Sequence, residues 1–251
     1  MKAPRALRVR LKKWVALLSP QRAETKYDAE VVFWGQVLRE YIDWYEGRKA
    51  CLYGTPSPSE RQKVRARSLK DSAILTWGEM HQKPKYLHDL MLPENAFAGE
   101  RLLDIGAGPI PSALAFCDCE LYCLDPLYHR YLAAGYPLHH YARVRFVHAF
   151  SEDVPVDDGF FDAAISVNAI DHVDSLTKTA SEVRRVLKPG GKLAIHVHYH
   201  PPTVTEPLEI NDRIFKEAFG WCPDLKKVME SQAKLGSVAA EGESYALWRN
   251  F

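Results

Sequence analysis

No run of apolar residues in this chain approaches the roughly 18 that a membrane-crossing helix needs, which excludes a transmembrane span. Cysteine is scarce and odd in number, five in 251 residues, so a disulfide framework is excluded and the thiols read as reduced. Neither sign of charge dominates: 33 Lys and Arg face 32 Asp and Glu, which argues against a dedicated nucleic-acid binder. The 14 glycines and 16 prolines lack the abundance or the period of collagenous and low-complexity chains. What is left is one large domain, or one domain and a cap, with 47% apolar residues to fill a core.

The balanced charge hides an asymmetry. Residues 1–100 hold 18 Lys and Arg against 12 Asp and Glu, and the remainder holds 15 against 20. Lys2, Arg5, Arg8, Arg10, Lys12 and Lys13 precede the first acid, Glu24, and alternate with Leu7, Val9, Leu11, Trp14, Leu17 and Leu18. Such a stretch reads as a solvated arm, with a peripheral contact to an anionic membrane through residues 1–18 or a transit peptide as alternatives. It lacks the apolar core and small-residue cleavage site of a secretory signal, so the expected address is the cytoplasm.

Organisation changes near residue 95, which divides a basic arm and helical cap (1–95) from a second region (96–251). Val31, Trp34, Val37, Leu38, Tyr41, Ile42 and Tyr45 are spaced three and four apart, as one face of a helix over 27–45 requires. Gly47 is its stop, Pro56 and Pro58 mark a turn, and 60–76 reads as a second helix. Beyond 95, strands at 101–105, 121–124, 144–149, 161–167 and 192–198 alternate with helices at 112–116 and 176–187. That alternation predicts an α/β fold, a parallel sheet covered by helices on both faces, with ligands outside the carboxyl ends of its strands.

Chemistry-bearing residues fall at those strand ends. Asp104-Ile-Gly106-Ala-Gly108 is a strand-to-helix turn whose glycines allow close backbone approach to a ligand. Asp125 ends the next strand about 20 residues on, where an acid accepts hydrogen bonds from both hydroxyls of a ribose. No Gly-Lys-Ser/Thr follows, so a nucleoside cofactor is favoured over a phosphate loop. Asp171-His172 and His196-Val-His198-Tyr-His200 end the fourth and fifth strands. Alternation places the three histidines on one face, with neighbours about 6.6 Å apart. One pair could share a divalent metal completed by Glu206, Glu209, Asn211 or Asp212, but a catalytic or substrate-orienting role is favoured over a metal. Cys117, Cys119 and Cys123 match no common zinc spacing and read as small buried thiols.

In order along the chain, the Asp104 turn, Asp125-Pro126, Ser151-Glu152…Phe161-Asp162, Asn168-Ala-Ile-Asp171-His172 and Arg185-Val-Leu-Lys188-Pro-Gly-Gly191 resemble the class I S-adenosylmethionine-dependent methyltransferases over residues 99–251. The resemblance implies a Rossmann-like, seven-stranded, mostly parallel sheet with an antiparallel C-terminal hairpin at 225–232 and 244–250, and S-adenosyl-L-methionine as co-substrate. It implies that Asp104, Gly106 and Gly108 line the methionine and ribose portions and that Asp125 holds the ribose hydroxyls. Pro126 and Leu127 would pack on adenine, Ser151 and Glu152 would meet its edge, and Asn168 would face the methionine. Phe150 stands where an acid or amide is usual, and Pro109-Ile-Pro111 where a third glycine is common.

Methyl transfer from a sulfonium needs mainly alignment, but an oxygen acceptor must also lose a proton. Asp171, His172, His198 and His200 are the candidates for that work. Aromatic residues of the cap (Trp34, Trp44, Tyr45, Trp77, Tyr86) read as its packing, and Arg61, Arg65 and Arg67 would favour an anionic acceptor. Residues 199–209 resemble, more faintly, methyltransferases of glycan and natural-product pathways. The expected acceptor is therefore a small hydroxylated molecule such as a sugar or glycan precursor. An RNA methyltransferase and a non-catalytic cofactor-binding module are the competing readings.

Overall fold

β1 (Arg101–Ile105) and β4 (Phe161–Val167) are nearly continuous apolar runs, the pattern of strands buried on both faces. They pair in parallel, Leu102 to Ala163 through Asp104 to Ile165. β2 (Glu120–Leu124) and β3 (Val144–Val147) extend the sheet beyond β1. β5 (Leu187–Tyr199) lies beyond β4. β6 (Lys226–Ser231) and β9 (Ser244–Arg249) close it as an antiparallel pair, giving the seven-strand order β3-β2-β1-β4-β5-β9-β6. A separate hairpin, β7 (Ala233–Lys234) and β8 (Ser237–Val238), interrupts that pair. This computed structural model describes residues 25–48, 56–64 and 66–251. The arm at 1–18, Cys51 and Arg65 lie outside the described residues. Among the described residues, no helix is long and apolar enough to cross a membrane.

α1 (Lys26–Tyr45) starts at Thr25, whose hydroxyl and the Asp28 carboxylate form a capping box. The helix expected over 60–76 is two: α2 (Pro58–Lys63) and α3 (Leu69–Trp77). Val64 leaves helical geometry at φ −125°, ψ 76°. Ser68 then caps a new start by accepting from the Asp71 amide at 3.0 Å. A π turn (Gly78–Gln82) joins α3 to α4 (Lys83–Leu90), so the chain is helical without a break from Leu69 to Leu90. Trp77 stacks on Tyr41 of α1 at 4.6 Å and meets Trp44 edge-on at 5.0 Å, so these aromatics are core.

After β1 the expected helix at 112–116 is only a 3-10 turn (Ser112–Ala115). Pro111 is its N-cap and Phe116 already turns extended at φ −88°, ψ 125°, and the four residues between cannot complete an α-helical nucleus. Tyr86 and Leu90 of α4 cover that part of the sheet, packed with Phe97, Ala113 and Phe116. α5 (Tyr128–Ala134) follows β2. On the opposite face, α6 (Leu176–Val186) buries Leu176, Thr179, Ala180, Val183 and Val186, one helical stripe. α7 (Asp212–Ala218) adds Phe215 to that layer, stacked on Trp248 at 4.7 Å. Just past the end of α6 at Val186, Pro189, Gly190 and Gly191 form a bulge within β5, where pairing shifts between Phe161 and Ala163. Cys123 is buried, but Cys117 is exposed and Cys119 half-buried, against the expectation of three buried thiols.

Arg185 of α6 fastens the loop before β4: it donates to the Val154 and Val156 carbonyls, each at 2.8 Å, and to Asp158 and Glu182 at 2.8 and 2.6 Å. Arg185→Ala is expected to lower unfolding free energy by about 1–2 kcal/mol in urea titration, with an unchanged m value.

Candidate active site

Strand order reverses between β1 and β4, and the carboxyl ends of β1, β2, β4 and β5 surround the resulting crevice. At its floor Gly106 has φ +70°, and a Cβ there would stand 2.4 Å from the Ala169 Cβ. Gly108, at φ +65°, donates its amide to Asp125 Oδ2 at 2.9 Å. The Leu127 amide reaches Asp125 Oδ1 at 2.8 Å. Each Asp125 oxygen keeps a second lone pair, so the carboxylate is fixed in place and still able to accept.

Asp104 is fully buried, with only the Tyr86 hydroxyl near Oδ1 at 3.4 Å and no hydrogen-bond partner for Oδ2 among the described residues. Burial pushes its carboxyl up to about 8, against the Tyr86 contact, with the nearby Asp125 adding to the rise. Burial likewise raises Asp125 to about 7, opposed by its two amide donors and reinforced by Glu30. Two buried acids and an orphaned oxygen make this end of the crevice receptive to a cationic ligand.

α1 lies across the crevice, tied to the loops after β2, β3 and β4. Lys26 donates to the His172 carbonyl at 2.6 Å and pairs with Asp174, and the Tyr27 hydroxyl reaches Asp174 at 2.9 Å. The Tyr27 ring meets Phe150 edge-on at 5.7 Å, so Phe150 serves a contact with the covering helix. Glu30 accepts from Trp34 Nε1 at 3.4 Å and the Tyr131 hydroxyl at 3.3 Å, and lies 3.6 Å from His172 Nδ1. The Trp34 ring sits 3.7 Å from where a Cβ on Gly108 would stand. Sequence reading missed Glu30; its signal is an acid four residues before Trp34 on the apolar face of a helix.

The other expected cofactor residues flank the same opening. Pro126 offers its carbonyl to His148 Nε2 at 2.8 Å. Ser151 Oγ is 3.0 Å from Thr179 Oγ1, and Glu152 accepts the Asp174 and Ser175 amides at 2.8 and 2.9 Å. Both side chains therefore hold loops to the start of α6, leaving backbone to face the opening. Asn168 adopts φ +55°, donates its amide to the His196 carbonyl at 2.7 Å and accepts Lys234 Nζ at 2.7 Å.

Beside this turn, Asp171, His172, His198 and His200 come together. His200 Nε2 is 3.0 Å from Asp171 Oδ2 and its Nδ1 is 2.6 Å from the Pro201 carbonyl. Acceptors on both nitrogens require an imidazolium. Burial alone would raise Asp171; the His200 bond and the His172 charge outweigh it and hold the carboxyl below its usual range. His172 lies between Glu30 at 3.6 Å and Glu206 at 3.8 Å; those acids and Asp171 overcome burial and lift it to about 9. His198 stacks on Tyr245 at 4.5 Å and lies 4.5 Å from the His200 ring. Burial, with the His200 charge, pushes His198 down to about 4. The 4.5 Å ring spacing is tighter than an extended strand allows because the chain leaves β5 after Tyr199. His196 is wholly buried and stacks on Tyr245 at 5.6 Å, apart from the cluster. Lys85 and Lys234 stand nearby; burial, with the Lys234 charge, lowers Lys85 to about 8. Neither lysine was singled out from sequence, since each falls outside any motif.

The strand order and the glycine turn define a doubly wound α/β domain. Residues 103–195, little more than a third of the chain, match the family model described as a methyltransferase domain. The chain is 36% identical over 113 residues to a demethylmenaquinone methyltransferase of Clavibacter sepedonicus, covering 42% of this chain and 44% of that protein. An O-methyltransferase, rstn1, of Aspergillus nomiae is 29% identical over 110 residues, 39% of this chain and 46% of that one. The chain thus spans less than half the length of either. The geranyl diphosphate C-methyltransferase of Streptomyces coelicolor shares the fold, with TM-score 0.51 at 17% identity, covering 85% of this chain and 96% of that chain.

Both Asp104 and Asp125 titrate higher folded than the roughly 3.9 expected unfolded. The fold therefore binds protons the unfolded chain releases, and this contribution to stability, full below about pH 4, is lost as pH rises through 7 to 8. In ligand-free protein the urea midpoint should fall between pH 5 and 8.5, and Asp104→Asn should flatten that fall; equal slopes in both proteins would contradict the assignment.

Proposed function

We propose that the protein transfers the methyl group of S-adenosylmethionine to an oxygen of a small hydroxylated acceptor carrying negative charge, such as a sugar or glycan precursor. The observation that carries this is the polar cluster of Asp171, His172, His198 and His200 beside the glycine turn, with Lys85 and Lys234 at its edge. A wall of this kind favours an anionic polyol over a sterol-like acceptor. Carbon methylation is the second reading, favoured by relatives named for demethylmenaquinone and for sterol 4-C methylation.

The residues present fit the co-substrate. The orphaned Asp104 oxygen and Asp125 face its net positive charge, and Gly106 and Gly108 leave space where side chains would intrude. In this reading Asp104, Gly106, Gly108 and Asn168 hold the methionine and ribose portions, and Asp125 accepts the ribose hydroxyls. Pro126 and Leu127 pack on adenine, whose edge meets the backbone around Ser151 and Glu152. Bound there, the sulfonium supplies a methyl group that is already electrophilic. The histidine cluster holds the acceptor hydroxyl in line with it, so the chain's main contribution is alignment. As the oxygen–carbon bond forms and the carbon–sulfur bond breaks, the hydroxyl proton passes to the cluster. The helices before β1 cap the site, and α1 excludes water from it.

Calorimetric titration with S-adenosylmethionine, then release of S-adenosylhomocysteine over a panel of nucleotide sugars, phenols and quinols, tests the reading. Micromolar binding and turnover on an anionic polyol are expected. Asp125→Ala should weaken donor binding by about 1.5–3 kcal/mol. His198→Gln should cut turnover by about 100-fold or more while donor affinity stays unchanged. Binding of neither ligand would sink the enzyme reading, and turnover only on quinols would favour carbon transfer.

A further inference from the structure

The acceptor end of the site contains more donors than proton handling needs. β5 delivers His198, the residue just past its end is His200, the turn after β4 delivers Asp171, and the loop at 203–206 delivers Glu206. One ligand atom from each of these four lies within 4.8 Å of all the others. Ligands about 2.1 Å from one ion stand about 3.4 Å apart in a tetrahedron, a value that the His200–Asp171 and His200–Glu206 separations of 3.0 and 3.8 Å bracket.

We propose that Asp171, His198, His200 and Glu206 bind a divalent transition-metal ion. Two imidazoles and two carboxylates match the donor preference of Zn2+, Mn2+ or Fe2+ better than that of Mg2+ or Ca2+, which take oxygen almost alone. Two carboxylates also neutralise the ion's charge, so the buried site closes without net charge.

Two observations beyond the clustering point the same way. Asp171 Oδ1 and His198 Nε2 are buried and have no hydrogen-bond partner among the described residues; the nearest acid to His198 Nε2, Glu243, is 3.3 Å away. The donors are also braced from behind. His200 Nδ1 faces the Pro201 carbonyl at 2.6 Å, which turns Nε2 toward Asp171. Thr203 holds Glu206 from both sides, donating its hydroxyl to Oε2 at 3.2 Å and accepting the Glu206 amide at 3.0 Å. His198 is clamped against the Tyr245 ring, and the Leu208 amide reaches the Asp171 carbonyl at 3.3 Å. A cation held here would lend Lewis acidity to an acceptor hydroxyl, which hydrogen-bonded side chains alone do not. The inference deepens the acceptor half of the proposed function, but its geometry stands without the transfer reaction.

The test uses Co2+ alone as a visible-absorbing probe, titrated into chelator-treated full-length protein with neither donor nor acceptor present. One equivalent should bind with a d–d band and raise the thermal midpoint. His200→Gln and Glu206→Gln should each weaken binding by at least about tenfold, with circular dichroism confirming the fold. If His200→Gln fails to fold, Glu206→Gln, on a half-buried loop, carries the test. The half-exposed group Asp71, His139 and His140 is the control: the double variant His139→Gln/His140→Gln should bind Co2+ unchanged. No band in wild type, a band that survives both ligand variants, or one abolished by the control variant overturns the proposal. Because no methyl transfer is read, a missing metal leaves the transferase reading intact, and an inactive but Co2+-binding protein leaves the metal site intact.

Discussion

The site depends on one steric condition: the backbone at Gly106 passes so near Ala169 that a Cβ has nowhere to go. That contact holds the turn after β1 against the turn after β4, on either side of the point where strand order reverses. It brings the Asp104–Asp125 half beside the Asp171–His200 half.

Charge then distributes unevenly over the two halves. At the donor end two acids are buried with few partners and are driven toward their protonated forms, so the empty fold is poorly matched to its own carboxyls. At the acceptor end acids and imidazoles are interleaved: Glu30, His172, Glu206, His200 and Asp171 alternate in sign through contacts of 3.0–3.8 Å. α1 joins the two ends, because Glu30 raises Asp125 on one side and faces His172 on the other. The helix that covers the crevice is thus part of its electrostatics.

Much of the doubly wound sheet was legible because its signals are local. Apolar runs closed by Asp104, Asp125 and Asn168 mark strand ends, and the Leu176, Ala180, Val183 stripe marks α6. What could not be read depends on tertiary competition. The helix after β1 shrinks to a turn because Phe116 turns extended and α4 covers the sheet. The glycines at 190 and 191 become a bulge because β4 offers pairing on both sides of them. At the site, spacing along β5 placed the histidines correctly on one face but overestimated the gap between His198 and His200, since no local pattern announces that the strand ends between them. Glu30, Lys85 and Lys234 join the site from distant segments, which no sequence window spans.

The π turn at Gly78–Gln82 sets a rotational phase. One residue inserted into a helix of 3.6 residues per turn swings everything beyond it by about 100°. Ile74, before the turn, packs in the cluster with Leu38 and Tyr41 of α1, whereas Tyr86 and Leu90, after it, pack on the sheet. In an uninterrupted helix Ile74 and Leu90, 16 residues apart in sequence, would stand about 160° apart around the axis. The extra residue cuts that angle to about 60°, so the cluster shared with α1 and the sheet are served from neighbouring sides of one rod.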